Sequence, residues 1–275
     1  MSIITLTSDF GTTDHRVAAI KGKILSQNSD SKIVDITHDI HAYNLAQTAY
    51  ILGNSYHFFP AGSVHIICVD SFFRKDRRCI LYKANEHYFI AADNGVLSLI
   101  FHEIKPEAIY EITFNNRFDD EVHFTAIDIF APSAVHLING GLPEVIGRKI
   151  KSAKQLSAPK PSTSEQTMIG EVMYIDNFGN VVTNISQKLF DEHMKGFDHF
   201  EIKFRSTTIN KIFSKYTDVV TDWNLENEFH GHKAAIFNES GMLELTIYKG
   251  NKHNGAKTLF GLSFGDSILI EFFKD

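Results

Sequence analysis

The sequence predicts an α/β protein of two domains: a larger N-terminal α/β layer, Rossmann-like or related, and a smaller C-terminal domain that is nearly all β. Three observations predict it. The 275 residues exceed the roughly 150 of a typical domain and are enough to bury a real hydrophobic core. Short apolar runs alternate with helix-period segments in the first half only, the pattern of a mainly parallel sheet with crossover helices. At 157–167 the chain turns to SAPKPSTSEQT, polar, Pro/Ser-rich and without apolar periodicity, which sets a linker between domains at 1–156 and 168–275.

In order along the chain, residues 3–7 read as a strand, 14–26 as a helix, 32–36 as a strand and 44–57 as a helix. The turn Pro60-Ala61-Gly62 leads into 63–69, a nearly unbroken apolar run that suits a strand covered on both faces. Strands follow at 79–83 and 87–91, then a helix over 128–138 that ends at Gly140-Gly141. After the linker, β-like runs at 168–175, 180–185, 200–204, 234–237, 243–247 and 267–272 have little helix pattern between them, as a small barrel or sandwich requires.

Composition narrows the function. Apolar residues at 43% and charged ones at 22% are those of a folded globular chain, not of a disordered or coiled-coil one. The net charge is −6 and the basic residues are scattered, so nucleic-acid binding has no electrostatic footprint. Cys68 and Cys79 sit in or beside apolar runs and read as buried, reduced thiols. No basic, apolar leader opens the chain and no apolar run nears the roughly 18 residues of a membrane span, so a cytoplasmic protein without a membrane partner is expected.

Ligands of an open parallel α/β sheet collect beyond the carboxyl ends of its strands, which singles out Asp9, Asp70, Asp93 and Asp128. Asp93, in Asp93-Asn94-Gly95, is a good turn residue, and Asp128 is a good helix N-cap; those structural roles are preferred. Asp9 and Asp70 each end an apolar strand. Thr12 and Asp14 are placed to cap the helix that follows, which leaves Asp9 to face a ligand. The loop after Asp70 carries Phe72, Phe73, Arg74, Lys75, Arg77 and Arg78 and is long enough to fold an arginine back toward the carboxylate, although a solvated charged turn explains the same residues. In the second domain, Asp176-Asn177-Phe178-Gly179-Asn180 is either a hairpin connection or a pair, Asp176 for an ammonium and Asn180 for a carboxylate, that would take a zwitterion. No dinucleotide, P-loop, serine-hydrolase or zincin motif occurs. His38, His41, His230 and His232 lie mostly in polar segments, and surface or capping roles are expected for them.

Taken together, Ser8-Asp9-Phe10-Gly11 with Asp14, Val34-Asp35-Ile36-Thr37-His38, Phe59-Pro60 with Gly62-Ser63-Val64-His65, Val69-Asp70, Arg77-Arg78, Asp93-Asn94-Gly95, Asp128-Ile129-Phe130-Ala131-Pro132, Ile175-Asp176-Asn177-Phe178-Gly179-Asn180 and Gly241-Met242-Leu243-Glu244 resemble, in this order, the S-adenosylmethionine hydroxide adenosyltransferase family, relatives of the fluorinase and chlorinase. The resemblance implies a C-terminal β-barrel and a homotrimer whose sites lie between one subunit's N-terminal domain and its neighbour's C-terminal domain. It implies S-adenosylmethionine as substrate, water as co-substrate, and neither a cofactor nor a metal. By position it implies Asp9 on the ribose hydroxyls, Tyr43 against the ribose or adenosyl part, Asp14 in the pocket, and Asp176 and Asn180, with Phe178 between them, on the methionine end. The catalytic Asp and Arg of the family fall on Asp70 and Arg77.

Two stretches depart from the family pattern. Where the family has D-P-G-V-G, this chain has Asp70-Ser71-Phe72-Phe73-Arg74, and where it has F-H-G-R-D, this chain has Phe124-Thr125-Ala126-Ile127-Asp128. The catalytic histidine position is therefore Thr125. His123, two residues away, returns to the same face if the segment is a strand, which makes it the expected substitute. The expected reaction is attack of water or hydroxide on the 5′-carbon. A binding protein without turnover, and a metal-dependent phosphatase with Asp9 and Asp70 as ligands, are the competing readings. Halide transfer ranks low, because Ala126 offers a halide no hydroxyl.

Overall fold

The computed structural model describes residues 3–102, 104–113 and 122–275, which divide into two compact units, Met1–Ala158 and Pro159–Asp275. The first is a seven-stranded sheet in the order β2-β1-β3-β5-β4-β6-β7, formed by β1 (Ile3–Ser8), β2 (Lys32–Thr37), β3 (Val64–Cys68), β4 (Cys79–Ala84), β5 (His87–Ala92), β6 (Ala108–Ile112) and β7 (Gly147–Ile150). β2, β1, β3 and β5 are parallel, whereas β4, β6 and β7 pair antiparallel. The parallel sheet expected from the sequence thus extends into an antiparallel edge. The sequence pattern passed over β6, β7 and a helical turn at Val96–Ile100 because each is too short to show periodicity.

β3 is buried at every position, as its apolar run requires. Alternation along the strand sends Val64, Ile66 and Cys68 into one core and Ile67 into the other. The first core is closed by α1 (Arg16–Gln27), through Ile20 and Ile24, and by the helix Ala131–Ile138; the second is closed by α2 (Leu45–Gly53), through Leu52, and by Val96–Ile100. α2 is shorter than its predicted range. It starts where the Asn44 side chain caps the Gln47 N–H, and it gives way to a 3₁₀ turn at Tyr56–Phe58.

The second unit is a nine-stranded sheet: β8 (Ser162–Thr163), β9 (Thr167–Ile175), β10 (Val181–Ser186), β11 (His199–Phe204), β12 (Thr207–Ile209), β13 (Ile212–Phe213), β14 (Lys233–Phe237), β15 (Met242–Ile247) and β16 (Ser267–Phe273). Its path is β12-β11-β16-β9-β10-β15-β14-β13, antiparallel except for β13 with β14, and β8 pairs with β9. The sheet curls until its ends approach, with Lys233 Nζ at the start of β14 donating to the Thr208 carbonyl of β12 at 2.9 Å, which makes it nearly barrel-shaped. Met168, Val172, Val181, Leu243, Leu245, Ile268 and Ile270 fill its interior. Helices at Gln187–Met194 and Ala256–Phe260, absent from the sequence reading, cover parts of it. Among the described residues no helix is long and apolar enough to cross a membrane.

Candidate active site

β1 and β3 run parallel with Ser8 opposite Cys68, so the residues that follow them emerge side by side at the carboxyl edge of the sheet. Those residues are Asp9 and, one step further, Asp70. Asp9 Oδ2 accepts the backbone N–H of Tyr43 at 2.9 Å and of Asp70 at 3.4 Å. Both donors have positive φ, 64° at Tyr43 and 44° at Asp70. Left-handed backbone at non-glycine residues costs roughly 1–3 kcal/mol each, and the shared carboxylate helps hold both in place. Asp9 is therefore not wholly free, as the sequence reading had it: Oδ2 is engaged, while Oδ1 has no hydrogen-bond partner among the described residues.

The loop after Asp70 folds an arginine back. Arg77 Nη1 donates to Asp70 Oδ2 at 2.8 Å and Nη2 to the Phe72 carbonyl at 2.6 Å, with the Arg77 side chain 11% exposed and that of Asp70 34% exposed. The Phe72 ring lies 6.4 Å from that of Tyr43, both exposed, so two aromatics stand beside the Asp9–Asp70 pair. Asn94 Nδ2 donates to the Val69 and Asp70 carbonyls and fixes the turn from behind. Asp93 does more than shape a turn: it is buried, paired with Arg78, and accepts the Lys154 N–H at 2.7 Å. A cleft of about 360 Å³ opens among Asp70, Arg74, Arg77, Arg78, Asp93 and Lys154. Nothing in the sequence pointed to Arg78 with Asp93, or to Lys154, because their contacts span 15 and 61 positions in the chain.

Thr125 is 3% exposed, and its Oγ1 is buried without a hydrogen-bond partner among the described residues. The segment around it is not a strand. A π-helical turn spans Ala126–Phe130 and runs into Ala131–Ile138, so the helix starts two residues before its predicted start. Asp128 is correspondingly not the N-cap: it lies inside the first turn, and its Oδ2 reaches back to the N–H groups of His123 at 3.0 Å and Phe124 at 2.8 Å. This removes the strand geometry on which His123 was to replace the missing imidazole, and His123 is exposed where Thr125 is buried. Asp14 is exposed at the start of α1. Its Oδ1 accepts the Arg16 N–H at 2.9 Å and it pairs with the Arg16 guanidinium, contacts that hold its carboxyl below the ordinary range.

His38 is 6% exposed, against its expected surface role, with Nδ1 2.7 Å from Ser8 Oγ and Nε2 3.1 Å from Asp35. It ties the end of β1 to the loop that carries Tyr43, a link reinforced by Gly11 N–H donating to the His38 carbonyl at 2.9 Å. Burial pushes the Cys68 thiol far up and the Cys79 thiol to about 12, so neither supplies a thiolate at neutral pH. Among the described residues no group of three or more His, Cys, Asp and Glu side chains could hold a metal ion.

In the second unit, Asp176 closes the turn between β9 and β10. Its Oδ1 accepts the N–H groups of Phe178 and Asn180, both at 2.8 Å, and its Oδ2 accepts Asn180 Nδ2 at 2.9 Å. Gly179 sits at φ 78°, where a Cβ would stand 3.1 Å from the Asn251 carbonyl, so the turn needs glycine on both counts. Asn180 is 9% exposed and its Oδ1 accepts from Thr246 Oγ1 at 2.5 Å, while Phe178 projects outward at 62% exposure. Glu244, on β15, is also 9% exposed, and burial, with Asp176 and Glu239 near it, pushes its carboxyl up to about 7. Sequence reasoning gave Glu244 no role. Its trace in the sequence was its place in Gly241-Met242-Leu243-Glu244, one of the motifs that carry the family resemblance, at the step between the inward Leu243 and Leu245.

Residues 4–147 match the model of the SAM hydroxide adenosyltransferase N-terminal domain, and residues 170–269 match that of the C-terminal domain. The chain is similar to the (R)-S-adenosyl-L-methionine hydrolase of Methanocaldococcus jannaschii, 30% identical over 277 residues that cover 98% of this chain and 96% of that protein. It is likewise similar to the hydrolase of the same name from Thermus thermophilus, 25% identical over 98% of this chain and all of that one. Among solved structures, a conserved protein from Thermotoga maritima superposes with a TM-score of 0.84 at 29% identity, covering 98% of this chain and 99% of that one.

Proposed function

The chain belongs to the SAM hydroxide adenosyltransferase family, and from that premise we propose that it hydrolyses S-adenosylmethionine to adenosine and methionine. A water or hydroxide oxygen bonds to the 5′-carbon as the carbon–sulfur bond breaks. The sulfonium takes the electron pair and leaves as a neutral thioether, and a proton is released where water is the nucleophile. The leaving group needs no protonation, so the protein's task is to place and desolvate the nucleophile. The observation that carries this reading is the Arg77–Asp70 pair, 2.8 Å apart beside Asp9 at the strand ends. Arg77 stabilises an approaching hydroxide and Asp70 orients both. Asp9, through its open Oδ1, takes the ribose hydroxyls; Tyr43 packs on the adenosyl part, with Asp14 at the pocket's edge; Asp176 and Asn180, with Phe178, take the methionine end. A homotrimer with sites between neighbouring subunits, working in the cytoplasm, completes the reading. It is supported by the family to which the chain belongs.

A second reading is favoured by one observation. Thr125 and the exposed His123 leave no imidazole at the position where the family carries one, and loss of a general base costs roughly 10²- to 10⁴-fold. On that reading the protein binds S-adenosylmethionine without turning it over. Prolonged incubation with S-adenosylmethionine separates the two: accumulation of adenosine and methionine in equal amounts supports hydrolysis, and tight binding with no product supports the second reading.

A further inference from the structure

β15 is in register with β10 so that Glu244 lies opposite Val182 and Leu245 opposite Val181. Side chains two apart on a strand share a face, so Glu244 points the same way as Thr246, whose hydroxyl holds Asn180 of the turn. The Glu244 carboxyl has one hydrogen-bond donor, Asn238 Nδ2 at 3.1 Å on Oε2; Oε1 has none among the described residues. The charged groups near it are Asp176, at the turn after β9, and Glu239, in the turn before β15, and both are carboxylates. No cation pairs with it among the described residues.

An ionised carboxylate has about four acceptor sites, and one buried with a single neutral donor is stable only if it holds a proton or meets a cation. Asp176 alone is a limited seat for an ammonium, since three N–H groups already occupy it. We propose that Glu244 is a second carboxylate for the ammonium of the substrate's amino-acid end, forming with Asp176 a two-carboxylate cation seat. This rests on the proposed hydrolase reading and deepens it. Burial and the nearby carboxylates raise the Glu244 carboxyl to about 7, so in the empty protein it mostly carries a proton below that pH. Arrival of an ammonium with its three N–H donors makes the ionised form the better partner, and the proton passes to solvent. Well below pH 7 the same exchange runs in reverse, and affinity falls by up to about tenfold per pH unit.

The test is calorimetry near pH 6.5 in buffers of different ionisation enthalpy. One probe is S-adenosylhomocysteine, which has the amino-acid end but no sulfonium leaving group, and the other is 5′-methylthioadenosine, which lacks the amino-acid end. The expected result is proton release with the first, none with the second, and loss of the release in Glu244→Gln. The wild-type comparison stands even if the variant fails to fold. Equal proton balance for the two probes, or undiminished release in Glu244→Gln, overturns the assignment of Glu244 and leaves the hydrolase reading standing. Failure of both probes to bind overturns that reading, and this inference with it.

Discussion

The candidate carboxylates of the two units are satisfied differently. In the first unit three have a cation, Asp70 with Arg77, Asp93 with Arg78 and Asp14 with Arg16, while Asp9 is held by the amides of Tyr43 and Asp70. In the second, Asp176 is held by amide N–H groups alone, and Glu244 has one amide donor and two carboxylate neighbours. A pair such as Asp70–Arg77 is complete without a ligand, and on the proposed reading its guanidinium meets an incoming negative or neutral oxygen. The Asp176–Glu244 cluster has no cation partner among the described residues, and on the proposed reading an incoming positive charge completes it. The contrast matches a reaction in which an anionic nucleophile enters at one end of a substrate whose other end carries an ammonium.

Breaking the first half should give the largest effect. Arg77→Ala removes the guanidinium that pairs with Asp70, and kcat for adenosine release should fall roughly 10²- to 10³-fold with little change in KM, as read in steady-state assays. Asp9→Ala removes the acceptor that holds the Tyr43 and Asp70 amides as well as the open Oδ1. Calorimetry should show adenosine binding weakened by roughly 10- to 100-fold, the worth of hydrogen bonds to a charged group.

The second half is sharpened by pH. A carboxyl raised from 4.5 to about 7 on folding contributes stability that is full below pH 4.5 and is lost as pH rises through 7. Scanning fluorimetry of the ligand-free protein should therefore show Glu244→Gln gaining on the wild type as pH rises from 5 to 8, by at most roughly 3 kcal/mol. The smallest effect belongs to Asp14, which is exposed and bound to Arg16. Asp14→Asn should leave the unfolding transition nearly unmoved and change KM by less than about threefold in the same assays.

Much of this site was legible in the sequence. Asp9 and Asp70 announce themselves as carboxylates that end apolar strands, and Asp176 to Asn180 as a polar turn between two β runs, because strand ends and turns leave local patterns. What stayed hidden depends on partners distant in the chain. His38 sits in a polar segment yet is buried, its Nδ1 bonded to Ser8, 30 positions away, and its Nε2 close to Asp35. His123 could stand in for the histidine at the Thr125 position only if the segment were a strand, but Asp128 turns its carboxylate back on the preceding amides and the helix starts early. Glu244 looks like any solvent-facing step of a strand, between the inward Leu243 and Leu245, yet it is buried.

The most direct test of the account is to incubate the protein with S-adenosylmethionine in ¹⁸O-labelled water and analyse the products by mass spectrometry. Attack of water on the 5′-carbon predicts adenosine carrying one ¹⁸O at the 5′-oxygen together with unlabelled methionine. Adenosine without label, or no adenosine at all from protein that binds the substrate, would contradict it.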